Sequence, residues 1–188
     1  MTKHIKKIEK LIASFDKATI DLLNKIEVIK HFKKGDVLLN EGYICKNSYH
    51  ITSGIARKYY LKEGKEVITD FYFADDIAVA FNSYTFQQPS NEFIDCITDV
   101  EVKVTQKQDW EKAKVNFPKL IKLDLLLTEI HAAALEEDMH DLRLLNATER
   151  YQKLLSIAPE LLKHIKLQHI ASYLNISLET LSRIRAKI

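Results

Sequence analysis

The chain has 188 residues, 46% hydrophobic and 29% charged, with a formal net charge of +2; this is enough for one large domain, or a medium and a small one, with a substantial core. Two isolated cysteines, Cys45 and Cys96, lack C-x-x-C spacing, which argues against zinc, iron–sulfur and thiol-exchange chemistry and predicts buried free thiols. No apolar run is long enough to span a bilayer, and Glu9 and Lys10 break the N-terminal run that a signal peptide would need, so a cytoplasmic protein without a membrane partner is expected.

Ile5, Ile8, Leu11 and Ile12 recur at helical spacing, and after Ser14 a second helix turns Ile20, Leu22, Leu23 and Ile26 inward. Around Glu27 the period changes. Val28, Ile29 and Phe32, the Lys33-Lys34-Gly35-Asp36 turn, Val37 to Leu39 and the Asn40-Glu41-Gly42 turn read as strands and turns. Ser48–Ile51, the Thr52-Ser53-Gly54 turn, Ile55–Leu61, the Glu63-Gly64-Lys65 hairpin turn and Val67–Phe73 continue at the short spacing of a β-barrel. Phe93–Thr98 and Val100–Val104 complete about eight strands.

From Gln106 the helical period returns, with Trp110, Ala113 and Phe117 on one face and Pro118 in the first turn of the next helix. That helix is long. Leu120, Leu123, Leu127, Ile130 and Ala134 follow an approximate a/d spacing, continued less regularly by Met139, Leu142 and Leu145. Leu125 and Leu126 widen the stripe, so the helix is expected both to lie on its own barrel and to supply a dimer seam. Beyond Asn146, Tyr151, Leu154 and Leu155 mark another helix, and Pro159 opens a turn.

The last stretch, Ile165 to Ile188, reads as two short helices around a tight turn. Ile170, Ala171 and Leu174 share one face; Leu181, Ile184 and Ile188 share another; Ile176 lies between. Asn175 suits the left-handed residue that ends the first helix, and Ser177 suits the cap of the second. With Leu181 and Ile184 inward, the second helix presents Leu178, Glu179, Ser182, Arg183 and Ala186, flanked by Thr180 and Arg185. Arg183 can pair with guanine, Glu179 can accept from the cytosine amino group, and Thr180 and Ser182 can reach bases or phosphates. From Thr148 onward seven cations face three carboxylates, whereas residues 118–147 carry three cations and six carboxylates, so positive charge gathers beside this helix.

The order of helical preface, small β-barrel, long helix and terminal helix-turn-helix resembles the Crp/Fnr transcriptional regulators. The Lys34-Gly35-Asp36, Glu41-Gly42 and Ser53-Gly54 turns and the Ile170-Ala171-Ser172-Tyr173-Leu174, Ser177, Glu179-Thr180 and Arg183 series carry the resemblance. It implies an α+β protein: residues 1–117 a cyclic-nucleotide-binding-like jelly-roll sensor, 118–146 a connecting and dimerisation helix, 147–188 an all-α DNA-binding domain. It further implies a homodimer on double-stranded DNA, with Lys166, Gln168, Ser177, Glu179, Thr180, Ser182, Arg183 and Arg185 as the contact residues.

Two departures from that family matter. The Gly-Glu and Arg-Ser pairs that hold ribose and phosphate in cyclic-nucleotide-binding members are replaced by Asp75-Asp76-Ile77-Ala78-Val79-Ala80-Phe81 and Pro89-Ser90-Asn91-Glu92. A buried cyclic phosphate beside those carboxylates, with no cation, is unfavourable by several kcal/mol, so cAMP is not expected to bind. Phe71, Phe73, Phe81 and Phe93, with Ser90 and Asn91, mark the degenerate effector region; the effector itself is unassigned. The sequence also ends just past the second helix, so the β-hairpin wing of many relatives is expected to be missing, and Lys166, Gln168, His169, Arg185 and Lys187 are left as phosphate donors.

No enzyme, cofactor or metal site is expected. His31, His50, His131 and His140 lack ligand spacing, and no G-x-S-x-G, P-loop or dinucleotide motif occurs. The rival reading is a sensor that acts through a protein partner, its helix-turn-helix having lost DNA affinity.

Overall fold

The computed structural model describes residues 5–159 and 161–187. Helices α1 (Ile5–Ile12) and α2 (Lys17–Ile26) form the preface. Asp16 starts α2 by accepting from the Thr19 amide at 2.9 Å, an N–H with no partner inside the helix. Lys119, 2.6 Å from the same carboxylate, holds the Asp16 carboxyl below the usual range.

Eight strands follow among the described residues: β1 (Glu27–Phe32), β2 (Val37–Leu39), β3 (Asn47–Ser53), β4 (Ala56–Lys62), β5 (Lys65–Tyr72), β6 (Ile77–Ala78), β7 (Phe93–Cys96) and β8 (Val100–Gln106). They make two antiparallel sheets, β1-β8-β3-β6 and β2-β7-β4-β5, the expected jelly-roll type. Alternation turns Tyr49, Ile51, Ile94, Cys96, Val100, Val102 and Val104 into one core between them. The β4–β5 hairpin closes on Glu63 and Gly64, both at positive φ, the turn whose twist suits two right-twisted strands. Gly54 is required by contact as well as conformation: a Cβ there would lie 2.2 Å from the Asp99 carbonyl oxygen. Strand β6 and helix α3 (Phe81–Phe86) had no periodicity to announce them, because each is too short to show one.

Helix α4 (Lys107–Asn116) leads into α5 (Lys119–Leu144), which Pro118 immediately precedes. Leu120, Leu123 and Ile130 are buried within the subunit, Leu120 in a cluster with Leu23 and Ala113. Three members of the apolar stripe read from the sequence are therefore internal. Asp124 fixes the helix on α4 by accepting from Trp110 Nε1 at 2.7 Å and pairing with Lys114 at 2.6 Å. A second row, Ile121, Leu125, Thr128, Ala132, Leu135, Met139 and Leu142, which shares only Met139 and Leu142 with that stripe, lies exposed along α5 at alternating steps of four and three.

Asn146 ends that helix and caps α6 (Ala147–Ile157), accepting from the Thr148 and Glu149 amides while the Glu149 carboxylate accepts from the Asn146 amide. Lys153 ties α6 back to α5 through Asp141 and, at 2.8 Å, Glu137. Helices α7 (Leu161–His164), α8 (Leu167–Tyr173) and α9 (Leu178–Arg185) follow.

Candidate nucleic-acid interface

Helices α8 and α9 pack as the apolar spacing predicts. Ile170, Ala171, Leu174, Leu181 and Ile184 are buried in one cluster with Tyr151 of α6 and Ile165; Ile188 lies outside the described residues. Asn175 takes φ +53° between the helices, and the Ser177 Oγ accepts from the Thr180 amide at 3.1 Å. The Arg150 guanidinium donates to the Leu174 carbonyl at 3.2 Å, adding a partner at the end of α8.

On the opposite face of α9, Leu178, Glu179, Ser182 and Arg183 are exposed, as are Arg185 at its flank and Lys187 just past its end. Glu179 stands in its first turn and Arg183 and Arg185 in its last, the order the helix dipole favours. Thr180 is half-buried, and its hydroxyl lies 3.0 Å from that of Ser177, so this pair is engaged in the cap first. Lys166 and Gln168 are exposed at the start of α8. His169 is not free: its ring nitrogens lie 3.1 and 3.2 Å from Arg57 Nη1, and Nε2 lies 3.2 Å from Glu66. It is committed to the barrel rather than to a phosphate.

The four phenylalanines of the effector region do not converge. Phe71 and Phe73 pack against the helical cluster, with the Phe71 ring 5.2 Å from Tyr173. Phe93 stacks on Tyr59 at 5.1 Å, and Phe81 meets the His131 ring of α5 at 4.5 Å. Ser90 is buried and bonded to the backbone of Glu92, while Asn91 is exposed.

A cation does stand beside the carboxylates of this region. Lys58 of β4 shares the face of Ile94 and Cys96, and its side chain is only 9% exposed. It pairs with Asp70 at 2.9 Å and Glu92 at 3.7 Å. Sequence spacing hid it because its partners lie on β5 and on the segment before β7. Burial and the Lys58 charge together lower the pKa of His131 on α5, and Asp70 partly offsets them. Among the described residues, no group of three His, Cys, Asp or Glu could hold a metal ion, and no helix is long and apolar enough to cross a membrane.

The cyclic nucleotide-binding domain family matches residues 29–114. Among solved structures, FixK2 from Bradyrhizobium japonicum is similar with a TM-score of 0.71 and 22% identity, over 86% of this chain and 84% of that one. A transcriptional regulator of the Crp/Fnr family from Eubacterium rectale gives 0.69 and 16%, over 93% and 83%. The c-di-GMP-responsive global regulator CLP from Xanthomonas campestris gives 0.67 and 12%, over 92% and 91%. No curated protein matches the sequence. The chain therefore shares the fold of these structures, a matched cyclic nucleotide-binding domain leading through a long helix to two short terminal helices.

Proposed function

We propose that this protein is a cytoplasmic, sequence-specific transcriptional regulator that binds double-stranded DNA as a homodimer, with α9 entering the major groove. The observation that carries the reading is α9 itself. Leu181 and Ile184 lock one face, and on the other the Glu179, Ser182, Arg183, Arg185 and Lys187 side chains have no internal ion pair or hydrogen bond among the described residues. Arg183 and Glu179 are assigned to base edges, and Lys166, Gln168, Ser182 and Arg185 to bases or phosphates nearby. Ser177 and Thr180 contribute first by capping α9.

The exposed row of α5 supports a second copy. Its exposed row repeats as a coiled-coil seam does, and a twin helix covers it by placing one apolar side chain between those of the other. The residues 118–146 then act as connector and dimerisation element, and residues 147–188 as the DNA-binding unit.

Cyclic AMP is not its ligand. Lys58, the buried cation of the effector region, is already matched by two carboxylates, and a cyclic phosphate would have to break that pairing and lie beside Asp70 and Glu92. Stranding a buried charge in this way is unfavourable by several kcal/mol.

Gel-shift titration on the chain's own upstream DNA tests the reading. Arg183→Glu should weaken specific binding at least 10-fold, from the ~1–3 kcal/mol that a bidentate base contact is worth plus phosphate repulsion. Unchanged affinity in the variant would remove Arg183 from its role, and absence of binding in the wild type would move the function to a protein partner.

A further inference from the structure

The helix-turn-helix touches the barrel directly as well as through α5. Strand β5 is the outer strand of its sheet, and α8 lies along it. The Ser172 Oγ accepts from the Ile68 amide at 3.0 Å and donates to the Glu66 carbonyl at 3.1 Å. One serine thus satisfies two groups that an edge strand otherwise leaves open. Beside it Arg57, 8% exposed, donates to Asp95 at 2.7 Å through Nε and to Glu66 at 2.7 Å through Nη1. The same Nη1 reaches the His169 ring. Phe71 against Tyr173 and Ile55 within the helical cluster complete the junction.

We propose that this junction is a pH-gated latch that sets the attitude of the reading helix, with the neutral ring of His169 as its titratable part. Helices α8 and α9 share one core, so α9 turns with α8. Lys166, Gln168 and the outer face of α9 stay exposed while α8 is docked, so the latch orients the reading head and does not mask it. In a dimer joined along α5, the attitude of α8 on each barrel fixes the separation of the two α9 helices. This role rests on the DNA-reading proposal above; the gated contact itself does not.

Geometry explains the gate. Arg57 Nη1 lies within reach of both ring nitrogens and Glu66 within reach of Nε2, so a neutral ring carrying its proton on Nε2 can donate to Glu66 while Nδ1 stays open to the Arg57 donor. Protonating Nδ1 turns that acceptor into a donor facing a guanidinium that cannot give up its own proton. The charged groups around the ring are Arg57 of β4, Glu66 of β5, Asp95 of β7 and Lys166 at the start of α8. Burial, then Arg57 and Lys166, lower the His169 pKa, and Glu66 and Asp95 only partly offset them. Undocked, the ring binds a proton more readily than docked. Docking is therefore strongest above the ordinary imidazole value and weakens as pH falls from there toward the lowered one.

Amide hydrogen exchange on the full chain without DNA tests the gate, with rates corrected for intrinsic chemistry. From about pH 7.5 to about pH 5.5, protection at Ile68 and along α8 should fall by up to about 10-fold per pH unit inside the titration window. His169→Gln should abolish the step, and Ser172→Ala should lower protection at both values while keeping it. Equal wild-type protection at the two pH values, or an undiminished step in His169→Gln, overturns the proposal. Binding to duplexes with varied half-site spacing supplies the second readout. Spacing preference should relax at the lower pH in the wild type and hold in His169→Gln; preference unchanged in both would overturn the positioning role. A chain that shows the exchange step but binds no duplex would refute the DNA reading and leave the gated contact standing.

Discussion

The seam proposed on α5 gives the sharpest test of assembly. Ile121, Leu125, Leu135, Met139 and Leu142 are 44–57% exposed in one subunit. Burying a whole leucine contributes ~1.5–3 kcal/mol, so closing the open half of Leu135 contributes about 1 kcal/mol per subunit. Leu135→Glu removes that contribution twice in a symmetric dimer and sets two carboxylates at a closed apolar seam. A total loss of ~3–4 kcal/mol follows, a dimer weaker by roughly 100- to 1,000-fold. Sedimentation equilibrium over a wide concentration range measures it, and DNA affinity should fall in step because each half-site needs its own subunit. Leu144 is the control. It is 77% exposed, and nine residues along a helix of 3.6 per turn places it about 180° from Leu135, so Leu144→Glu should leave the dimer intact. A Leu135→Glu chain that dimerises as tightly as wild type would refute the seam, whatever the gel shifts show.

Two further outcomes concern titratable side chains. Although its side chain is exposed, desolvation by the surrounding protein, followed by the Asp70 and Asp141 charges, pushes the Asp138 carboxyl of α5 up to about 6. Between its ordinary value and about 6 the folded form holds a proton that the unfolded chain has released, so the destabilisation is full at neutral pH and shrinks as pH falls through that range. Asp138→Asn should raise the melting temperature near pH 7, with the gain shrinking toward pH 5; a gain independent of pH would contradict this. Burial raises the Cys45 thiol and pushes the Cys96 thiol up to about 12, so neither supplies thiolate in the folded protein. A thiol-specific chromogenic reagent should react with both only on the timescale of unfolding, and rapid labelling of either in native protein would refute the burial.

Much of the molecule was legible in local spacing. The Ile170, Ala171, Leu174, Leu181 and Ile184 pattern, Asn175 at the break and Ser177 at the cap all stand where the sequence puts them, because each depends on neighbours within a few residues. The glycine turns and strand alternation were equally local. His169 and Lys58 were not. The sequence reads the first as a phosphate donor and leaves the second unmarked within the Ile55–Leu61 strand, because Arg57, Asp70 and Glu92 reach them from distant segments.

By itself, then, the sequence determined the order of elements, the core of the helix-turn-helix and the face of α9 left to solvent, since 3.6- and 2-residue periods are properties of the chain. Only the tertiary structure decided which apolar row of α5 is inside: Leu120, Leu123 and Ile130 meet the subunit, while Leu125, Leu135 and Met139 do not. A helix apolar on more than one side has no local preference between its faces. The choice falls to whatever packs against it, and here the helical preface and α4 take one row and leave the other uncovered.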